Sequence, residues 1–171
     1  MWRFEASQAA LCRVLAYEAL FAWDTDHPDI AATLHALGDL SRQTGDLRKA
    51  KGYLDLALRM ERSVHGERDH PAIAATLHAL GNLSKQAKDL HQAKQYLDQS
   101  LQMKRSLHGG RDHPDIAAIL HALGNLSQQT GDLRKAKGYF DESSRMKRSL
   151  HGDKCAGQTG KRSRASPAVC E

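Results

Sequence analysis

The chain has 171 residues, of which 26% are charged and 40% hydrophobic, an ordinary balance for one globular domain. The net charge of +5 is spread along the chain, and no run approaches the roughly 20 apolar residues of a membrane-spanning helix. Charged residues interrupt every candidate signal sequence, and three cysteines (Cys12, Cys155 and Cys170) imply no disulfide framework, so we expect a soluble protein of the cytoplasm.

The first predicted element is a solitary helix over residues 2–23. Its apolar side chains, among them Phe4, Leu11 and Leu15, recur at helical spacing, but no partner helix follows directly in the sequence. We therefore expect residues 1–25 to form an N-terminal capping helix that covers the apolar face of the next element.

Three tandem units follow, with a period of 43 residues. Asp-His-Pro recurs at 26–28, 69–71 and 112–114, and Leu-His-Ala-Leu-Gly recurs in the same register. The first and third units differ at only nine of 41 positions. This self-similarity is typical of repeat proteins, and it predicts repeats at 26–68, 69–111 and 112–152.

Each unit predicts two helices joined by a tight turn. In the first unit Pro28 suits the first helical turn, with Asp26 or His27 as the capping residue. A Gly45-Asp46 turn leads into a second helix that ends near Gly66. The first helix has an apolar face, which we expect to be buried in the core; its residues, at helical spacing, are Ile30, Leu34, Leu37 and Leu40. No segment alternates with period two, so the fold class is all-α, and the hairpins must stack to bury their apolar faces.

A glycine recurs inside each first helix, although glycine costs a helix about 1 kcal/mol relative to alanine. The missing side chain would let the second helix approach closely, opposite a small alanine. The residues of this pattern are Leu37, Gly38, Ala50, Leu80, Gly81, Ala93, Leu123, Gly124 and Ala136. The pattern resembles the tetratricopeptide repeat, and the His-Gly-x-x-Asp-His-Pro loop resembles the long-period type found in kinesin light chains and nephrocystin-like proteins. This resemblance implies a short right-handed superhelical solenoid.

The end of the repeat array differs from its beginning. In the third unit Glu142-Ser143-Ser144 replaces the Leu56-Ala57-Leu58 of the first. Polar residues on the face that would receive a fourth hairpin are typical of a terminal capping repeat. From residue 153 the sequence loses its periodicity, so we expect 153–171 to form a disordered basic tail.

The chain offers little for catalysis, metals or cofactors. Nine of the ten histidines occupy three repeated positions. Equivalent residues of stacked repeats lie about 8–10 Å apart and cannot share a zinc ion with bonds of about 2 Å. We therefore expect no metal site and no cofactor. No nucleophile–base pair stands apart from the repeat pattern, so we expect no enzymatic activity.

The resemblance implies that the first helices line a concave groove, which binds an extended peptide or a partner segment as in an adaptor or scaffold protein. The implied groove residues are His35, Asp39, Arg42, Gln43, His78, Asn82, Lys85, Gln86, His121, Asn125, Gln128 and Gln129. A structural spacer without a ligand is an alternative. Weak nucleic-acid binding through the basic surface and tail is another, although no aromatic residue stands on the first helices to stack bases. The sequence determines neither the partner nor the oligomeric state, and it predicts no membrane contact.

Overall fold

In the computed structural model of the chain, residues 27–66 and 68–159 are described, with side chains described as far as Leu150. This part of the chain contains six α-helices and no strand. The helices are α1 (Pro28–Gln43), α2 (Leu47–His65), α3 (Pro71–Gln86), α4 (Leu90–Leu107), α5 (Pro114–Gln129) and α6 (Leu133–Thr159). The predicted capping helix at 1–25 lies outside the described residues.

The chain divides into two compact units, Met1–Arg68 and Asp69–Glu171. In the first unit, α1 and α2 pack together as a hairpin. In the second unit, α3 pairs with α4 and α5 pairs with α6, while α5 also packs against α4 and touches α3. The prediction of an all-α chain built from paired helix–turn–helix repeats is therefore confirmed.

Each helix begins at the residue type that the sequence offers as a cap. Before α1, α3 and α5, the Nδ1 atom of a histidine accepts the backbone N–H two residues later, at 3.2–3.3 Å, and a proline follows directly. Asp46, Asp89 and Asp132 accept the backbone N–H three residues later at the starts of the second helices. Of the two candidate caps in the first repeat, His27 therefore performs this function, and its equivalents do the same.

The ends of the second helices differ between the repeats. Gly66 ends α2 with a φ of 67°, and two positive-φ glycines come after the end of α4. The corresponding His151-Gly152 lies inside α6, which continues to Thr159. A proline cannot continue a helix. The ends of α2 and α4 are soon followed by the proline that begins the next helix, whereas no proline follows α6 before Pro167. The first seven residues of the segment predicted as a disordered tail are consequently helical here.

The apolar core is deeper in the second unit than in the first. Every counterpart of the four predicted core residues of α1 is at most 3% exposed in α3 and α5. In α1 only Leu34 is buried, while Ile30 and Leu37 are half-buried and Leu40 is 38% exposed, so the prediction was wrong for Leu40. Its counterpart Leu126 lies in a cluster with residues of the preceding repeat. No described helix precedes α1, because the described residues begin at His27.

The recurring glycines allow a close approach of the two helices, but the closest neighbour is not the predicted one. A Cβ atom at Gly38 or Gly81 would lie 2.6–2.8 Å from the side chain of Leu54 or Leu97. The alanine of the signature contributes only its backbone oxygen, at 3.4 Å. At Gly124 the neighbour is the ring of Phe140. Each glycine therefore makes room for a large side chain four residues after the alanine.

The three polar residues that end the array have different environments. Ser143 is 1% exposed, and its hydroxyl donates to the carbonyl of Ala117 at 2.7 Å, as the equivalent Ser100 does to the carbonyl of Ala74. Glu142 is half-buried and accepts from Arg105 at 2.8 Å. Only Ser144 is exposed where the first two repeats bury a leucine. The polar capping face predicted from all three residues is thus reduced to Ser144.

Candidate functional site

The predicted groove residues of the second unit lie on one exposed face of each first helix. On α3, His78, Asn82 and Lys85 are half-buried and follow one another at spacings of four and three residues. Residues at these spacings lie above one another on a helix surface. Gln86, next to this row, is exposed. We call this row the α3 strip.

The same arrangement recurs on α5. His121 and Gln128 are exposed, Asn125 is half-buried between them, and Gln129 is exposed beside the row. This row is the α5 strip. Since α3 and α5 are in direct contact within the second unit, the two strips lie on neighbouring helices. They offer two carboxamides in the same register and two imidazoles one turn before them.

The buried apolar residues on the opposite face of α3 and α5 keep the two strips at the protein surface. Ile73, Leu77 and Leu80 of α3 are at most 2% exposed, and their counterparts on α5 are equally buried. Burial of such side chains contributes about 1.5–3 kcal/mol each, which sets the rotation of the helix about its axis. The buried core therefore determines which face of each helix carries its polar strip.

The strips of the second unit carry one cation. Lys85 has no ion-pair partner among the residues that the structure describes, and no carboxylate belongs to either strip. The other polar groups are amides and imidazoles. This surface can donate and accept hydrogen bonds along its length, and it offers one positive charge.

The first unit places its predicted groove residues differently. On α1, Asp39 accepts from the Nε atom of Arg42 at 3.4 Å and lies 3.5 Å from Nε2 of His35. Gln43 is exposed at the end of the helix. The positive charge of Arg42 is thus paired within its own helix, whereas Asn82 and Asn125 replace the aspartate in the second unit and leave no such pair.

One aromatic residue contacts the α5 strip, a contact that the repeat pattern does not predict. Phe140 stands where the first two repeats have leucine, and its ring centroid lies 5.2 Å from that of His121, with the planes tilted by 57°. Phe140 lies on α6, a second helix, in line with the prediction that no aromatic residue stands on a first helix. The helix assignment is right, but the ring reaches across the hairpin because Gly124 leaves the space for it.

A second cluster of polar side chains lies where repeats two and three meet. The rings of His108 and His113 stack, with centroids 3.6 Å apart and planes within 12°. Asp115 lies beside them and accepts from the buried Lys104 at 2.7 Å. The expectation of no metal site rested on the distance between equivalent histidines of neighbouring repeats. It missed this pair because the two residues occupy different positions of the repeat and meet only through the loop between α4 and α5.

The ion pair and the stack change the acidities in this cluster. The hydrogen bond from Lys104 lowers the pKa of Asp115. Burial lowers the pKa of His108, and the neighbouring His113 and Lys104 lower it further. Both shifts favour the forms that accept a hydrogen bond or a metal ion, the carboxylate and the neutral imidazole.

No helix within the described ranges combines the length and the apolar character needed to cross a membrane. No curated protein matches the sequence.

The fold has counterparts among solved structures. BtubC (BKLC) from P. vanneervenii superposes with a TM-score of 0.66 at 22% identity, over 85% of this chain and 54% of that one. The nearly identical TPR-like repeats of a kinesin light chain candidate from Podospora anserina give a TM-score of 0.67 at 20% identity, over 82% of this chain and 65% of that one. A point variant of the same Podospora anserina repeats gives a TM-score of 0.68 over the same shares. The chain thus spans about half to two thirds of the length of these proteins.

The sequence itself shows the family to which the chain belongs. The tetratricopeptide repeat family model matches residues 29–106 and, in an overlapping match, 72–149. Domains of this family typically act as protein-interaction scaffolds and are usually non-catalytic. The signature glycines and most of the paired helices lie within these matches, and the chain belongs to the tetratricopeptide repeat family.

Proposed function

We propose that the chain is a non-catalytic scaffold that binds an extended peptide, or an extended segment of a partner protein, across its first helices. The observation that carries this proposal is the pair of matching polar strips on α3 and α5. An adaptor role of the kinesin light chain type is the finer form of the proposal, and the structural likeness to kinesin light chain-like repeats supports it.

The chemistry of the strips fits a peptide main chain. Asn82 and Asn125 occupy the same repeat position, and each carboxamide can donate and accept at once, as a peptide group does. Packed helices lie about 8–10 Å apart, and an extended peptide advances about 3.3 Å per residue. The two carboxamides would therefore contact peptide groups about three residues apart.

The charge of the surface favours ligands with an acidic side chain. Lys85 is the cation of the two strips, and it has no carboxylate partner among the described side chains. A partly exposed ion pair of this kind contributes only about 0.2–1 kcal/mol. We expect acidity to tune the affinity, while the hydrogen bonds to the main chain supply most of it.

A library of short random peptides displayed on phage tests the proposal. Peptides enriched on the wild-type protein are synthesised, and their affinities are measured by fluorescence anisotropy. The double variant Asn82→Ala/Asn125→Ala should lose about 1–3 kcal/mol, or about five- to 150-fold in affinity, since each lost hydrogen bond costs about 0.5–1.5 kcal/mol.

The matched control changes two exposed amides on α4, Gln99→Ala/Gln102→Ala, and should leave the affinity unchanged. If the library yields no binder, or if the control variant weakens binding as much as the asparagine variant does, the first-helix surface is not the binding site. A structural spacer would then be the better description of the chain.

A further inference from the structure

The ends of α4 and α5 bring two histidines and an aspartate together. His108 is the C-terminal cap of α4, directly after Leu107, and His113 is the N-terminal cap of α5. Asp115 lies in the first turn of α5, with its Oδ2 atom 3.8 Å from Nδ1 of His113. One nitrogen or oxygen atom from each of the three residues lies within 4.8 Å of the others.

We propose that His108, His113 and Asp115 bind a divalent transition-metal ion of the zinc class at the junction of repeats two and three. Imidazole nitrogens and a carboxylate oxygen are ligands that suit zinc, cobalt and nickel ions. Three protein ligands leave the remaining coordination position to water. Such an ion would tie the end of α4 to the start of α5.

The hydrogen bonds of the cluster assign an atom to each ligand. Nδ1 of His113 accepts the backbone N–H of Asp115 at 3.2 Å, so its Nε2 atom is the one to coordinate. The Oδ2 atom of Asp115 is held by Lys104, so Oδ1 is the oxygen for the metal.

Binding requires the side chains to rearrange, because the Nδ1 atom of His113 and the Oδ2 atom of Asp115 that lie 3.8 Å apart are already hydrogen-bonded, and the coordinating Nε2 and Oδ1 atoms must turn towards the ion. Ligand atoms around a tetrahedral zinc ion lie about 3.4 Å apart, given bonds of about 2.1 Å, so the three atoms must draw together. Because the lone pair of an imidazole lies in its ring plane, one of the two stacked rings must also turn. His108 is suited to turn, since it follows the last helical residue and precedes two glycines with φ of 58° and 73°.

Lys104 opposes the ion. Its side chain is 8% exposed and its ammonium group lies 2.7 Å from Asp115, so it competes for the carboxylate and repels a second cation. Replacing Lys104 by methionine retains the apolar stem and removes the charge. The variant should therefore bind the metal more tightly than the wild type, an effect that a purely structural role of the cluster would not produce.

The repeat supplies a matched control. His65 and His70 stand at the positions equivalent to His108 and His113, but Ala72 replaces the aspartate. A third ligand is thus lacking at the corresponding positions. Metal binding by scattered surface histidines would depend on His65 as much as on His108. The proposed site, in contrast, depends on His108 and not on His65.

The test is a titration of the full chain with Co²⁺, followed by visible absorption, with Zn²⁺ added in competition. His108→Gln should weaken binding at least about tenfold, because the loss of even an outer partner of a metal ligand commonly costs about 10–100-fold. His65→Gln should leave the affinity unchanged, and Lys104→Met should raise it. Cobalt–thiolate bonds give an intense charge-transfer band, which distinguishes binding by the three cysteines from binding by imidazole and carboxylate.

Circular dichroism confirms that each variant is folded before the titration. Equal affinities for the wild type and His108→Gln would overturn the proposal, as would a spectrum with the thiolate band alone. Weakening by His65→Gln to the same extent as by His108→Gln would also overturn it.

Discussion

Replacement of Gly81 by alanine tests how the two helices of a repeat fit together. A Cβ atom at this position would lie 2.7 Å from Cγ and 2.8 Å from Cδ2 of Leu97. Ordinary contacts between carbon atoms are about 3.5–4.0 Å. Leu97 is fully buried, so its side chain cannot move aside into solvent. Overpacking of this kind costs about 1–3 kcal/mol.

Alanine also stabilises a helix relative to glycine, by about 1 kcal/mol. The net effect of Gly81→Ala should therefore be a loss of about 0–2 kcal/mol in the free energy of unfolding. Gly138 is the matched control, because it lies in α6 and a Cβ atom there would meet nothing within 4 Å. Gly138→Ala should stabilise the protein by about 0.5–1 kcal/mol.

Urea unfolding followed by circular dichroism measures both variants, and a double-mutant cycle identifies the cause. Leu97→Ala alone should cost about 2–5 kcal/mol. In that background the clash is absent, so Gly81→Ala should become stabilising, as Gly138→Ala is. If Gly81→Ala stabilises the wild type as much as Gly138→Ala does, Leu97 does not exclude a side chain at this position and the reasoning is wrong.

Three further predictions concern a cap, a buried hydroxyl and the N-terminal segment. Hydrogen bonds from Lys135 lower the pKa of Asp132, so its stabilising contribution is present above the ordinary carboxyl pKa and is lost as the pH falls through the lowered value. Asp132→Asn should thus leave the stability near pH 7 almost unchanged, since asparagine caps a helix as well as aspartate. The variant should also lose less stability than the wild type as the pH falls, and unfolding curves in acid that do not differ from those of the wild type would contradict this. Ser100→Ala should destabilise the protein by about 0.5–1.5 kcal/mol in urea unfolding, because the hydroxyl donates to the carbonyl of Ala74 in the core, and a stabilising effect would show that this bond contributes nothing. Deletion of residues 1–25 should lower the melting temperature or cause association, because the apolar side chains of this segment recur at helical spacing and are expected to cover the apolar face of the first repeat. Unchanged melting and monomeric elution would argue against a capping role.

The sequence by itself determined the elements and their order, because the signals that start and stop a helix act within a few residues. The caps at Asp46, Asp89 and Asp132 each bond to a backbone N–H three residues away, so spacing alone predicts them. The 43-residue period and the signature glycines identified the family for the same reason. The residues of the polar strips on α3 and α5 were implied by the family resemblance, and helical spacing explains why the residues of each strip share a face.

Tertiary packing decided the features that depend on a neighbour distant in sequence. Leu40 and Leu126 stand in nearly identical local sequences, yet Leu40 is 38% exposed and Leu126 only 3%, because burial depends on the elements that pack against the helix. Spacing placed an alanine opposite each signature glycine, but the length of the Leu97 side chain and the approach of the helices made leucine the closest neighbour.

The two clusters for which we propose functions show the same division. The residues of the strips were predicted, whereas the contact of Phe140 with His121 arises from a ring that crosses the hairpin. His108 and His113 meet because the loop after α4 turns back onto the start of α5, and no period in the sequence relates them. Capping and periodicity depend on residues that are close in sequence, so the sequence alone predicts them. The distances between side chains on different helices depend on how those helices pack, which only the tertiary structure determines.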